Sequence, residues 1–213
     1  MAEHLTEEEQ IDAIKSWWKE YGNSILASIA IVAVGMVSWN VYKSTVKENA
    51  EAASAIYADY LETRSNSDSG EPMLVELENS HSASGYQMLA LFYQASDAVE
   101  TGDLDTAIAK LEQVISEAPG NELGSMAIIR LAKIQHEQNK SDEALVSLTR
   151  VKGEGFVSVA AELKGDILLS KGELAEALDA YTIARDKAGL NAQRPLLEMK
   201  LADLANNDES LPK

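Results

Sequence analysis

No cysteine occurs among the 213 residues. The chain therefore has no disulfide, no thiolate zinc site and no cysteine nucleophile. That absence suits a reducing and an oxidising compartment equally. Basic residues are also scarce, with 18 Lys and Arg against 35 Asp and Glu and a formal charge of -17. A chain this acidic repels nucleic acid and anionic lipid surfaces, which argues against a nucleic-acid partner. Prolines number 4 and glycines 12. Alanine, leucine and glutamate are plentiful, a balance that favours helices.

Chemistry-bearing constellations are missing too. The histidines are His4, His81 and His136, and none has a partner at metal-ligand spacing. His136-Glu137 lacks the second histidine one turn on that a zinc-protease helix needs. Ser80-His81-Ser82 has no nucleophile context around it. Gly153-Glu154-Gly155 lacks the spacing of a phosphate-binding loop and reads as a turn. The many carboxylates read as solvated helix faces. No catalytic, cofactor or metal site is expected, and the chain is read as a non-enzyme.

What the sequence does have is one long uncharged run, YGNSILASIAIVAVGMVSWNVY, from Tyr21 to Tyr42. As a helix it spans roughly 33 Å, about the hydrocarbon thickness of a bilayer. Its apolar residues cover the whole circumference, whereas a surface helix would keep a polar stripe. Trp17, Trp18 and Tyr21 border one end and Trp39 and Tyr42 the other. Aromatic belts at both borders are what two membrane–water interfaces select. The leader before the run is long and acidic, and a small-residue cleavage site comes only at Ala50-Glu51-Ala52. A cleaved signal peptide wants a basic leader and a nearby site, so a retained span is expected. Its anchor residues are Tyr21, Ile25, Ile29, Val32, Gly35, Trp39 and Tyr42. Ser24, Ser28 and Gly35 could let a second transmembrane helix approach, although small residues are common in any span. Lys15 and Lys19 precede the run and Lys43 and Lys47 follow it. That balance leaves orientation open on charge alone.

After the span, residues 43–64 hold no Gly or Pro and read as a helix that continues it. Residues 65–72 read as a loop. Beyond them one pattern occurs three times: Gly102-DLDTAIAKLEQV, Asn139-KSDEALVSLTRV and Gly172-ELAEALDAYTIA, at offsets of 37 and 33 residues. Ala107, Ala144 and Ala177 recur. So do Leu111, Leu148 and Tyr181 four residues later, and Val114, Val151 and Ala184 three beyond those. These steps trace one face of a helix. Gly and Asn, which lead the three stretches, are the residue types that most readily adopt the left-handed turn closing a preceding helix. Apolar-periodic segments at 86–98, 126–136 and 156–169 stand before each stretch. The unit is therefore helix, tight turn, helix, and neighbouring units must stack to bury their faces.

The pattern resembles tetratricopeptide repeats. Leu91, Ala95, Gly102, Ala107, Leu111 and Pro119 fall on consensus positions in the first unit. Ala132, Ala144 and Leu148 do so in the second, and Gly165, Gly172, Ala177 and Tyr181 in the third. The consensus tryptophan is absent, and Phe156 and Gly189 replace the later prolines. The expected fold is all-α. One N-terminal transmembrane helix precedes a tetratricopeptide-like α-solenoid of about three to four helix pairs, closed by a capping helix at 191–206. The expected divisions are an acidic tail (1–20), the span (21–42), a tethering helix with an irregular first repeat (43–80), the repeat domain (81–206) and a C-terminal tail (207–213).

Leader, span and repeats together resemble the YfgM family of bacterial inner-membrane proteins, ancillary subunits of the SecYEG translocon. The resemblance covers the full chain, including MAEHLTEEEQIDAIKSWWKEYG and GDLDTAIAKLEQV. It implies a single-pass inner-membrane protein with a cytosolic N-terminus and a periplasmic repeat domain. The implied partners are membrane lipid, the Sec translocon and a membrane-anchored chaperone of the prolyl-isomerase type. It further implies a regulatory role for the cytosolic tail in a stress response, through a cytosolic response regulator. The alternative is a scaffold for envelope assembly or cell division. After Tyr42 the chain carries 16 Lys and Arg against 29 Asp and Glu. Those acids could admit basic or apolar segments, or merely keep the domain soluble. Tyr86, Phe92, Tyr93, Phe156 and Tyr181 are the aromatics available to a groove, and most are expected in the core. The residues that bind a partner are not legible at this level.

Overall fold

A computed structural model describes residues 7–66, 70–82, 84–189 and 194–208. His4, residues 191–193 of the closing segment and the tail from 209 lie outside the described residues. Nine helices and no strand occur among the described residues: α1 (Glu7–Ser65), α2 (Glu71–Ser80), α3 (Gly85–Glu100), α4 (Leu104–Glu117), α5 (Glu122–Glu137), α6 (Ser141–Leu148), α7 (Glu154–Ser170), α8 (Leu174–Lys187) and α9 (Pro195–Asp208). The chain divides into two compact units, Met1–Ala55 and Ile56–Lys213.

Among the described residues the first unit is part of α1, the one helix there that is long and apolar enough to cross a membrane. Its large side chains point outward. Ile31 is 73% exposed, Met36 70% and Trp39 61%. Of the expected anchor residues, Ile25 is half-buried, while Tyr21, Ile29, Val32, Gly35, Trp39 and Tyr42 are exposed. Trp17 and Tyr21 lie with ring centroids 5.9 Å apart, as do Trp39 and Tyr42. Gly22 is the one buried residue of the run, covered by the Trp18 ring, against which an added Cβ would sit at 3.1 Å. The Ser28 hydroxyl donates to the Ser24 carbonyl at 2.8 Å, so this polar group is satisfied within its own helix.

The second unit is built from helix pairs. α3 packs on α4, α5 on α6 and α7 on α8, while α4 meets α5 and α9 covers α8. Each pair turns through the same local geometry. Gly102, Asn139 and Gly172 have φ of 79°, 62° and 79°. The next N–H reaches back to the carbonyl five residues earlier: Asp103 to Ala98 at 2.8 Å, Lys140 to Gln135 at 2.8 Å and Glu173 to Leu168 at 3.0 Å. This is the Schellman closure, and it satisfies carbonyls that the helix end would leave bare. Side chains cap three helix starts. Ser84, Asp103 and Asn121 accept from the backbone N–H of Gln87, Thr106 and Gly124. The Asp103 carboxyl is held below the ordinary aspartate range by its hydrogen bonds from the Thr106 side chain and backbone.

The helices cross where side chains are small. Ala107, Ala144 and Ala177 are all fully buried. At the third crossing Gly165 of α7 faces Tyr181 of α8, and a Cβ on Gly165 would lie 2.5 Å from the tyrosine ring. Buried apolar residues form three clusters, one for each junction along the stack. The first centres on Leu91, Leu111 and Leu131, the second on Ala144, Leu163 and Ile167, and the last on Tyr181, Leu197 and Leu201. Burial at roughly 25 cal/mol per Å² makes these clusters the main source of stability.

Two local details differ from the sequence reading. Val151 aligns with Val114 and Ala184, yet α6 stops at Leu148 and Val151 lies beyond it. Ser125 captures the chain there. Its hydroxyl donates to the Lys152 carbonyl at 2.9 Å and accepts from the Lys152 N–H at 3.2 Å. Val151 still packs against the first two junctions from beyond the helix end. Gly155 belongs to the first turn of α7, and only Gly153, at φ 86°, makes the turn.

Candidate binding grooves of the repeat domain

Ten of the thirteen repeat-consensus positions of the sequence fall on the packed faces of the stack. Leu91, Ala95, Leu111, Ala132 and Leu148 are buried with the three alanines, Gly165 and Tyr181. Gly102 and Gly172 stand exposed in the turns, and Pro119 is exposed just past α4. These residues build the scaffold, and all but Leu148 stay off the grooves described next.

One groove, of about 310 Å³, lies between the last turns of α1, α3 and α5. It is lined by Tyr57, Leu89, Phe92, Tyr93, Ser96, Met126 and Arg130. An aromatic cluster fixes its wall. Tyr57 lies 5.7 Å from Tyr86 and 6.3 Å from Tyr60, and Tyr60 meets Tyr93 edge-on at 6.3 Å. Such pairs add stabilisation beyond area burial. Tyr60 itself is buried. Gly70, at φ 62°, lies so close that a Cβ there would meet the Tyr60 ring at 2.6 Å. A side chain at this position is therefore excluded twice over, by conformation and by space. Arg64 forms an ion pair with Asp97 and lies 5.1 Å from the Tyr93 centroid. The hydrogen bond to Asp97 holds the Arg64 guanidinium above its ordinary range. Burial, and then the neighbouring Tyr93, pushes the Tyr57 phenol above its ordinary value.

A second groove, of about 570 Å³, lies among α6, α7 and α8. Leu145, Val146, Val157 and Ile183 dominate it, with Lys164 at its margin. It exists because α6 is only 8 residues long, so part of the neighbouring α7–α8 surface goes uncovered. Val146 of α6, among the lining residues, is 67% exposed.

The third repeat ends in a polar clasp. Ser158, Glu162 and Asp166 occupy one face of α7 at four-residue steps. Arg194 donates to Ser158 Oγ at 2.6 Å and also pairs with Glu162. Lys200 of α9 donates to Asp166 at 2.6 Å and to Glu162 at 3.1 Å. The Tyr181 hydroxyl donates to Asp166 at 2.7 Å, and Ser158 donates to the Ala184 carbonyl at 2.7 Å. Burial, reinforced by the hydrogen bond to Asp166, raises the Tyr181 phenol far above its ordinary value. Burial lowers the Lys200 ammonium, but its bonds to Asp166 and Glu162 outweigh that and leave it raised. The clasp seats α9, whose Leu197, Leu201 and Leu204 are buried. The aromatics split in the same way, with Phe92 and Tyr181 buried, Tyr86 and Phe156 half-buried, and Tyr93 38% exposed.

His136 accepts or donates at 2.9 Å to Ser141 and so bridges α5 to α6. No group of three or more metal-ligating side chains occurs among the described residues. The grooves can bind apolar and aromatic side chains, and they offer no arrangement of nucleophile and base.

Residues 15–206 match the tetratricopeptide repeat-like domain family. The chain is also similar along its length to several relatives named "Ancillary SecYEG translocon subunit". That of Haemophilus influenzae is 30% identical over 96% of this chain and 100% of its own length. That of Aggregatibacter actinomycetemcomitans is 31% identical over the same shares. That of Escherichia coli K12 is 26% identical over 93% of this chain and 97% of its own.

Proposed function

Since this chain belongs to the tetratricopeptide repeat-like family of ancillary SecYEG translocon subunits, we propose that it is a membrane-anchored interaction module working beside the Sec translocon. The observation that carries this reading is a full-length likeness joining one exposed apolar helix to a stack of helix pairs. Residues 21–42 anchor the chain in the inner membrane, with aromatic side chains at both borders. The acidic tail is cytosolic and the repeats are periplasmic. Stacked pairs present grooves, and grooves of this kind bind polypeptide segments. The repeats hold emerging chains, or a membrane-anchored prolyl-isomerase-type chaperone, next to the channel exit. The tail, with Ile11, Ile14, Trp17 and Trp18 exposed, contacts a cytosolic regulator of a stress response. The function is binding and positioning, with no catalytic step.

Crosslinking followed by mild-detergent purification of the full chain tests this. Translocon subunits and a periplasmic chaperone are the expected co-purifying proteins. Recovery of division or envelope-assembly proteins instead, with no translocon subunit, would sink the proposal. Topology is checked by reporters fused after Tyr60 and at Lys213. Both are expected to report the periplasm, and a cytosolic C-terminus rejects the orientation.

A further inference from the structure

The groove between α1, α3 and α5 differs in charge from the domain around it. After Tyr42 the chain has 29 acids and 16 bases, yet none of the groove's lining residues is a carboxylate. Its charged member is Arg130, whose guanidinium stacks 4.5 Å from the Phe92 centroid. Arg130 is exposed and makes no ion pair among the described residues, and neither does Lys133 one turn along α5. The exposed acids of these helices are Asp59 and Glu62 in the last turns of α1, Glu100 at the end of α3, and Glu122 and Glu137 at the two ends of α5, and none of them lines the groove. The other basic residue nearby, Arg64, is already engaged by Asp97. A guanidinium resting over a ring face can still present N–H groups to a carboxylate. The remaining wall is Tyr57, Leu89, Tyr93 and Met126, and Leu89 and Tyr93 are 37% and 38% exposed. At about 310 Å³ the space lies at the low end for whole small-molecule ligands and suits a side chain with its adjoining backbone.

From this juxtaposition we infer that the α1–α3–α5 groove binds a polypeptide segment pairing a carboxylate with a neighbouring large apolar side chain. The carboxylate meets Arg130, with Lys133 adding long-range attraction, and the apolar side chain packs against Leu89, Tyr93 and Met126. Net acidity adds selectivity. The rest of the surface repels an acidic segment, so this groove is where such a segment settles. A basic segment finds attraction elsewhere but no carboxylate among the residues lining this groove. The inference rests on the reading of the repeats as a binding module and names the chemistry of one partner segment.

The test uses the full chain in a neutral detergent and two dye-labelled hexapeptides read by fluorescence anisotropy. One is Leu-Glu-Phe-Asp-Glu-Leu, and the other has its three acids replaced by lysine. The acidic peptide is expected to bind at least about tenfold more tightly, and more weakly as salt rises. Arg130→Gln should weaken it about tenfold, the size expected when one charge-assisted hydrogen bond is lost. Arg130→Lys should restore part of that loss. Tyr93→Ala weakens binding without changing its salt dependence. Unaltered thermal melting of R130Q establishes that the fold is intact. Equal or tighter binding of the lysine peptide, no binding of the acidic one, or an unchanged affinity in R130Q overturns the inference. Crosslinking of the wild-type chain in membranes separates the two ideas. Acidic-peptide binding by a wild-type chain that recovers no translocon subunit supports the groove and defeats the translocon reading. Translocon recovery without peptide binding does the reverse.

Discussion

Replacing Tyr181 by alanine should destabilise the repeat domain by about 3–5 kcal/mol, the range for truncating a large buried aromatic. Tyr181 is fully buried, and three separate structures depend on it. Its ring fills the crossing that Gly165 leaves open. Its edge joins the cluster that buries Leu197 and Leu201 of α9. Its hydroxyl donates to Asp166 at 2.7 Å. Removal leaves a cavity at the α7–α8 crossing and takes a hydrogen bond from the clasp that seats the cap. Urea or thermal unfolding of the full chain in detergent, followed by circular dichroism, measures the loss. A change below about 1 kcal/mol would mean that the crossing collapses around the gap. Tyr181→Phe separates packing from polarity. It keeps the ring and loses only the bond to a charged acceptor, so about 1.5–3 kcal/mol is expected. The phenol also makes stability pH-dependent at the alkaline end. Its folded-state pKa is raised, so the folded chain holds this proton more firmly than the unfolded chain does. The contribution is complete below the ordinary tyrosine value near pH 10 and is lost progressively as pH rises above it. In Y181F that alkaline loss should be smaller.

Introducing arginine at both Val32 and Gly35 should release the chain from the membrane fraction. Each arginine near the centre of a span costs about 2.5–3.5 kcal/mol on the insertion scale, so two cost about 5–7 kcal/mol. Neither residue has packing to lose, because Val32 is 61% exposed and nothing lies within 4 Å of an added Cβ on Gly35. The effect therefore reads out the surrounding medium rather than a broken fold. Carbonate extraction of membranes carrying the double variant is the measurement. A matched pair of arginines at Leu196 and Met199, exposed at 69% and 60% on α9, should leave the chain membrane-bound. Continued integration of the Val32 and Gly35 variant would remove residues 21–42 from the role of anchor.

Much of the fold was legible because its signals are local. The helix–turn–helix unit shows in a small residue, a leucine or tyrosine one turn later, and a Gly or Asn ahead of both. Gly102, Asn139 and Gly172 adopt positive φ because the Schellman closure demands it of whichever residue stands there. The end of α6 was not legible. Val151 keeps the helical register in the alignment, but at the next residue, Lys152, the backbone is held by Ser125, 27 residues away, and a positive-φ glycine follows at 153. The clasp was not read from the sequence, where its carboxylates pass for solvated ones, although a local signal for it exists. Ser158, Glu162 and Asp166 make a polar stripe on a helix otherwise rich in apolar residues, and such a stripe signals a polar partner. Arg194 and Lys200 could not be named as that partner from sequence, since they are 32 to 38 residues away.

The amino-acid sequence by itself determined that the chain is helical, that its helices come in pairs, and that one uncharged run matches a bilayer. Propensity, periodicity and turn chemistry act within a few residues, so they can be read along the chain. Tertiary structure decided where the pairs leave space. It placed Arg130 of α5 on Phe92 of α3 without an anionic partner, and it opened the groove beside the short α6. The overall charge of the chain says little about either place, because a groove's charge depends on the few side chains that packing brings to its wall.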